Sequence, residues 1–307
     1  MTPDTPDAAA VTIVIVTFNS SETIDGTLRC ARESFEQGLA RCVVVDNQSE
    51  DGTASLVETN HPWAELVKAP GNLGFGRGCN LGFEHVETPY VLILNPDCSL
   101  PPRDLARLLE FAQQHPRAGI VAPANRSPTG RLHSHGPLPT PASVLRGLLP
   151  RGLEGPGLMD LVPGEPPFRV EWICGAVMLI ESDSYRRLGG FDPRFFLYFE
   201  ETDLLKRAHA LGIEVWAVCE SVACHIGGSS AETVGDTMVH GALARPYYQS
   251  RYYYLAKHHG RLTAWLTEAA ELVLLALRSL VALVRRRPSP LRRRLRASAF
   301  RFPPPLA

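Results

Sequence analysis

Three runs of aliphatic and β-branched residues each stop abruptly at polar residues, and this limits the chain's fold more than any other feature. Val11–Phe18 (VTIVIVTF) breaks into Asn19-Ser20-Ser21, Arg41–Val45 (RCVVV) into Asp46-Asn47-Gln48-Ser49, and Tyr90–Leu94 (YVLIL) into Asn95-Pro96-Asp97. Such runs are continuous rather than alternating, as expected of strands covered on both faces. Asn19-Ser20-Ser21 offers N-cap chemistry before a helix at Glu22–Arg32, and Asp51-Gly52-Thr53 opens a second helix over Ala54–Glu58. The rhythm is β-α-β-α, which predicts an α/β fold with a mixed, mostly parallel sheet and helices on both faces.

Further along, Asp104–Gln114 reads as an amphipathic helix and Gly119–Ala122 as a short strand. Residues 123–168 turn to Pro, Gly, Ser and Arg, which predicts a long, partly helical excursion with His133 and His135 as solvated loop residues. Sheet character resumes over Arg169–Glu181. Phe195–Leu211 passes from aromatic residues through a carboxylate cluster into helix, and Glu214–Val218 and Val222–His225 are further strands. Residues 247–284 read as helix throughout. At 307 residues and 45% hydrophobic, the chain holds one large domain with an appendage, drawn at 1–245 and 246–307. Its seven cysteines lack a C-x-x-C pair, so they read as reduced thiols of a cytosolic enzyme. The acidic N-terminus makes Val11–Phe18 a strand rather than a signal peptide.

A net charge of −1 conceals an asymmetry. Residues 245–307 carry thirteen Lys/Arg against Glu268 and Glu271, a net +11, which leaves −12 on residues 1–244. The basic segment therefore points to an anionic surface. Trp265–Val284 is its most apolar stretch, but Glu268, Glu271 and Arg278 interrupt it and leave it a poor spanning helix. With Arg285–Arg287 and Arg292–Arg296 as flanks it suits a helix lying in an anionic membrane interface; packing on the main domain is the alternative. Nucleic acid is set aside, because no recognised binding fold or base-stacking set accompanies the charge.

Ligands of open α/β sheets bind at the carboxyl ends of strands, where Thr17, Asn19, Asp46, Asn95 and Asp97 fall. Asp97, directly after an apolar strand, suits a divalent cation, or else belongs to an Asn-Pro-Asp turn. Gly71–Asn80 (GNLGFGRGCN) is no dinucleotide fingerprint, because Cys79 stands where the third glycine is required. It reads as a loop able to bring backbone amides to a ligand. In Glu200-Glu201-Thr202-Asp203, crowded carboxylates should raise one pKa, making a general base, or else they open a helix. His225, before Gly227-Gly228, is either a metal ligand or a structural histidine.

Taken in order, TFN, VDNQSEDGT, NLGFGRGCN, LNPD, GAVMLI, FFLYFEETDLLKR and HIGGSS resemble family 2 glycosyltransferases of GT-A fold, over about residues 11–230. Within that family the chain is similar to bacterial rhamnosyltransferase-like enzymes. The resemblance implies a nucleotide pocket lined by Thr17 and Asn19, a base-binding carboxylate at Asp46, and Asp51 in the adjoining loop. It implies donor contacts from Asn72, Gly74, Phe75 and Arg77. Asn95-Pro96-Asp97 stands where the family has D-x-D, so Asp97, with His225, is the implied ligand set for Mg²⁺ or Mn²⁺. The family's E-D pair reads Glu200-Glu201 here, which makes Glu201 the implied base and Asp203 its fallback. Glu200, Trp172, Gly175 and Ala176 fall where donor sugar and acceptor meet.

The resemblance further implies an inverting transferase, with L-rhamnose from dTDP-rhamnose as the expected donor and a saccharide or lipid-linked saccharide as acceptor. Its place would be cell-wall or surface polysaccharide synthesis, in the cytoplasm at the inner face of the membrane. A UDP- or GDP-hexose donor and a non-catalytic glycan-binding scaffold are the alternatives, and a homodimer is left open. A nucleotidyltransferase would need a Gly-rich loop after the first strand, where Asn19-Ser20-Ser21 stands.

Overall fold

The structure is a computed structural model that describes residues 9–126, 130, 134–148, 159–225, 243–284, 290–295 and 297–298. It divides into two compact units, one of residues 1–136, 158–193 and 201–228, the other of residues 137–157, 194–200 and 229–307. The second unit thus takes two internal segments beside the C-terminal region.

The first unit is built on strands β1 (Val11–Thr17), β2 (Ala40–Asp46), β3 (Glu65–Lys68), β4 (Tyr90–Leu94), β5 (Cys98–Ser99), β6 (Ile120–Arg126), β9 (Phe168–Arg169), β11 (Val177–Glu181) and β12 (Val215–His225). Their order is β3-β2-β1-β4-β11-β6-β12-β5, with β9 also on β12. The long ladders joining β3, β2, β1 and β4, and β6 with β12, are parallel, whereas β11 runs antiparallel between β4 and β6. Helices α1 (Ile24–Glu36), α2 (Thr53–Asn60), α3 (Phe75–Phe83), α4 (Pro102–Gln114), α6 (Ser182–Leu188) and α7 (Glu200–Ala210) accompany them. Ile13 and Ile15 of β1 share a core with Leu28 of α1 and Leu105 and Leu108 of α4. Val14 and Val16 face the other way, onto α3. Both faces are therefore covered, which is why the strand runs are continuously apolar.

Several expectations need correcting. Asn19-Ser20-Ser21 does not cap α1; Thr23 precedes the helix and makes no side-chain cap bond. The glycine-rich stretch is largely helix α3, not a loop, and its glycines serve packing. A Cβ on Gly78 would lie 2.6 Å from Val16 and one on Gly82 2.5 Å from Val14, so only glycine lets the helix approach β1 this closely. The sheet character expected over Arg169–Glu181 is present in three pieces, while the two segments from Glu214 onward are one strand with an irregularity between Val218 and Val222. Strand β3 has little sequence signal because it is four residues at a sheet edge.

From the excursion, β7 (Ser134–Gly136) and β8 (Met159–Asp160) form a small sheet with β10 (Trp172–Ile173), which follows it, and α5 (Pro141–Arg146) is a short helix. His135 is no solvated loop residue: it lies in β7 against the Phe168 ring, 5.1 Å between centroids, and burial lowers its pKa. His133 lies outside the described residues.

Residues 247–284 form two helices, not one. Helix α8 (Ala244–His259) ends at Gly260, whose φ of +90° suits glycine, and α9 (Arg261–Val284) follows. A short helix, α10 (Pro290–Leu295), comes after. Glu268 and Glu271 do not interrupt a membrane-like face, because both are buried against Arg251 and Arg294. Among the described residues no helix is long and apolar enough to cross a membrane. None of the seven cysteines is in a disulfide.

Candidate active site

The parallel register brings Thr17 opposite Asp46 at the carboxyl ends of β1 and β2. Both are buried, as is Asn47, and Thr17 Oγ1, Asp46 Oδ1 and Asn47 Oδ1 find no hydrogen-bond partner among the described residues. A buried unsatisfied polar atom costs about 1–3 kcal/mol. Three of them at one sheet edge fit a polar ligand that completes their bonding. The flanking loops are laced together: Glu50 N–H donates to Asn19 Oδ1 at 2.8 Å, Asn19 N–H to Ser49 Oγ at 2.9 Å, and Ser21 N–H to Asp51 Oδ2 at 2.9 Å. Burial pushes the Asp51 pKa up, but hydrogen bonds from Thr53 and Ser21 outweigh it and leave the carboxyl below its ordinary range. Asn19 and Gln48 sit at φ 51° and 64°, so this rim is held in a rarely populated backbone conformation.

Asn47 ties that rim to the start of α3. Its Nδ2 donates to Gly74 O at 3.0 Å, while Gly74 N–H donates to Asn72 Oδ1 at 3.0 Å. The Phe75 ring meets Phe191 edge-on at 6.2 Å, and Arg77 is exposed on the first turn of α3. The candidate donor residues thus come together at one edge, and Asn47, which sequence reasoning left out, links them. Its position beside Asp46 was the available signal. Asn80 has another duty, accepting from Tyr185 Oη at 2.7 Å and Phe191 N–H at 2.8 Å.

At the end of β4, Asn95 N–H donates to Ala176 O at 2.9 Å, which fixes this turn to the segment entering β11. Asp97 is buried, 8% exposed, and takes a long contact from Cys98 Sγ at 3.7 Å. Cys174 joins the two carboxylate candidates. Its thiol is pushed up to about 12, first by burial and further by the charges of Glu201 and Asp97, so both carboxylates lie within electrostatic reach of one sulfur. Gly175 backs Glu201 directly: a Cβ there would stand 2.9 Å from Glu201 Cβ. His225 ends β12 with its Cα opposite Cys98, next to Asp97 in sequence. The His225 side chain lies outside the described residues, as does the Gly-rich segment after it.

Glu201 is partly exposed on the first turn of α7. The Thr202 hydroxyl donates to Glu201 Oε1 at 3.2 Å and accepts from Trp172 Nε1–H at 2.9 Å. Burial raises the Glu201 pKa, and hydrogen bonds from backbone, Thr202 and Trp172 offset only part of the rise. A carboxylate shifted upward and held by its neighbours is suited to take a proton near neutral pH. Asp203 differs. It is wholly buried and accepts from Arg207 Nε at 2.7 Å, while Arg207 also donates to Leu188 O at 2.6 Å and Gly190 O at 2.9 Å. That carboxylate anchors α7 to the preceding turn, so the fallback base is committed to structure. Glu200 is buried, and its charge adds to burial in pushing the Tyr198 phenol up to about 12. Tyr198 and Phe199 hold φ of 68° and 66° just before the acidic pair.

A doubly covered, mostly parallel sheet with polar groups gathered at its strand ends and a supported carboxylate beyond them is an α/β fold of the class that binds ligands at its strand ends. Residues 12–173 match glycosyl transferase family 2, and the chain belongs to that family. It is 27% identical to the N-acetylglucosaminyl-diphospho-decaprenol L-rhamnosyltransferase of Mycobacterium tuberculosis over 270 residues, 80% of this chain and 84% of the relative. The low-salt glycan biosynthesis hexosyltransferase Agl10 of Haloferax volcanii is 26% identical over 67% of this chain and 63% of its own. Among solved structures, the mannosyltransferase PcManGT of Pyrobaculum calidifontis, in complex with GDP-Man and Mn²⁺, aligns with a TM-score of 0.55 at 20% identity, covering 96% of this chain and 86% of that one. That likeness supports the GT-A fold.

Proposed function

We propose that this family 2 glycosyltransferase moves L-rhamnose from dTDP-rhamnose to a lipid-linked saccharide, with inversion at the anomeric carbon, in cell-wall or surface polysaccharide synthesis. The sugar and the lipid-linked acceptor follow the name of the mycobacterial relative, which aligns over most of both chains, and dTDP as its carrier follows the rhamnosyltransferase resemblance. The chemistry rests on one arrangement: Gly175 packs directly against Glu201, and the charges of both Glu201 and Asp97 reach the adjacent Cys174 thiol.

In this reading the Glu201 carboxylate takes the proton of an acceptor hydroxyl, and the freed oxygen pair forms a bond to the donor sugar's C1. The bond from C1 to the diphosphate oxygen breaks on the opposite face, and the nucleoside diphosphate leaves with that electron pair. Thr17, Asp46 and Asn47 supply the unsatisfied polar atoms for the nucleoside, with Asn19, Asp51, Asn72, Gly74, Phe75, Arg77 and Asn95 around it. Trp172, Ala176 and Glu200 complete the sugar and acceptor side.

Asp97 offers a buried, hard oxygen donor and His225 the neighbouring backbone position, which fits Mg²⁺ or Mn²⁺. Among the described residues no three possible ligands gather, so diphosphate oxygens and water would complete the shell, as Mg²⁺ commonly prefers. A divalent cation there would neutralise charge developing on the departing diphosphate. The enzyme's place in this reading is the cytoplasm, at the inner face of the membrane that carries its acceptor.

A thermal-shift panel of dTDP, UDP and GDP, each with and without Mn²⁺, tests the donor. Stabilisation by dTDP above the others supports rhamnose, and preference for UDP or GDP replaces it with a hexose donor. No stabilisation by any, with no hydrolysis of a nucleotide sugar, would mean a glycan-binding scaffold.

A further inference from the structure

Helix α9 carries its polarity inverted. The two acids it contributes, Glu268 and Glu271, are buried, and Arg251 Nη1 reaches Glu271 Oε1 at 3.1 Å while Arg294 Nη2 reaches Glu271 Oε2 at 2.8 Å. Ser298 Oγ adds a 3.0 Å bond to Glu268 Oε1. The opposite face is exposed and apolar, with Leu262, Trp265, Leu266, Val273, Leu277 and Leu280 all between 50% and 71% exposed. At 100° per residue these six fall within a sector of about 120° that runs the length of the helix.

From this arrangement we infer that α9 docks the protein on an anionic lipid surface, lying in the interface plane with its outer stripe among the acyl chains. Charge selects the occupant. Glu268 and Glu271 are the only acids in residues 245–307, and both are turned inward and neutralised, so the outer surface presents no carboxylate from this segment. Arg261, exposed on the first turn of α9, lies about 40° from the edge of the stripe. Arg245 on α8 and Arg278 on α9 are exposed outside it, and the sequence adds Arg285–Arg287 directly after the helix. An apolar face on a segment whose two acids are buried and whose described exposed charges are arginines suits anionic headgroups above hydrocarbon. The helix does not meet the requirements of a span, so it lies on the surface rather than crossing it. This goes beyond the transfer reaction and stands whichever sugar is moved.

Flotation of the full chain with phosphatidylcholine vesicles, and with the same vesicles containing phosphatidylglycerol, tests the inference without any acceptor. Binding to the anionic vesicles alone, weakened about tenfold by added salt, is expected. The surface triple variant L266Q/V273Q/L277Q should lose binding roughly tenfold or more while keeping its thermal midpoint and its transfer to a water-soluble acceptor. The anionic vesicles should also shift Trp265 emission to the blue, and W265F should lack that component. No vesicle binding by the wild-type chain overturns the proposal. So does a wild-type dimer that ignores vesicles and that the triple variant dissolves, which would make the stripe a contact between copies.

Discussion

Gly175 and Glu201 are packed so closely that a single methyl on the glycine would stand 2.9 Å from Glu201 Cβ and 3.1 Å from its Cγ. The atoms it meets lie near the root of the side chain, at the start of α7, where little can give way. Gly175→Ala should therefore displace the carboxylate rather than abolish the fold. Turnover is expected to fall about tenfold to a hundredfold, because misplacement by an ångström is costly in a bimolecular step. Calorimetry should find nucleoside diphosphate affinity unchanged; a parallel loss of both would show that the damage spreads beyond Glu201.

Removing the proposed base goes further. Glu201→Gln should cost about 10²–10⁴-fold in kcat with donor affinity kept. Its acid form is favoured by burial, so the wild-type rate should fall with decreasing pH through a midpoint above the ordinary carboxylate range. Stability runs the other way. A raised folded-state pKa gives stability that is full below the unfolded value and lost as pH rises through the folded one. Glutamine mimics the protonated form, so the variant should melt higher than wild type at neutral pH. A lower melting point at that pH would contradict the burial argument.

Thr202 acts on that same carboxylate through its hydroxyl. Since the hydrogen bond lowers the Glu201 pKa, Thr202→Val should move the acid limb of the kcat profile to higher pH, and Thr202→Ser should restore it. A valine variant that lost rate equally at every pH would indicate a packing role instead.

For Asp97→Ala the expected result is loss of the Mn²⁺-dependent part of donor binding, with the metal-independent part retained. Calorimetry of the matched nucleoside diphosphate, with and without Mn²⁺, reads the difference directly. Unchanged metal dependence would remove Asp97 from the cation's ligands.

The buried cluster beneath α9 makes a separate prediction about stability. The Arg294 guanidinium lies 3.5 Å from the Tyr248 ring centroid and bonds Glu271. Removing one partner of such a cluster leaves buried charge uncompensated, so Arg294→Met should cost about 3–5 kcal/mol by denaturant titration. Burial raises the Glu271 pKa, but Arg251 and Arg294 more than reverse this and leave it lowered. Its stabilisation is therefore present above the unfolded carboxylate pKa and lost as pH falls through the folded one. A variant as stable as wild type would mean the cluster is dispensable.

The strand runs ending at Phe18, Val45 and Leu94 announced a doubly covered sheet, because burial on both faces writes itself as unbroken apolar sequence. Asp46, Asp97 and Glu201 were legible as candidates for the same local reason. Each stands where an apolar or aromatic stretch gives way to acid. The glycines of α3 misled, since a glycine that serves helix packing and one that opens a loop look identical in sequence. The split at Gly260 was hidden in a segment whose helical propensity hardly changes.

Pattern along the chain decided the class of fold and the family and nominated the candidate side chains, all of which depend on neighbours within a few positions. Pairing across long separations belonged to the tertiary structure alone. Asp203 became an anchor because Arg207 is held by Leu188 and Gly190. Asn47 became a link because Gly74 O comes to it. Glu268 and Glu271 turned inward because Arg251 and Arg294 meet them. A carboxylate's role follows from which cation reaches it, and only folding sets that distance.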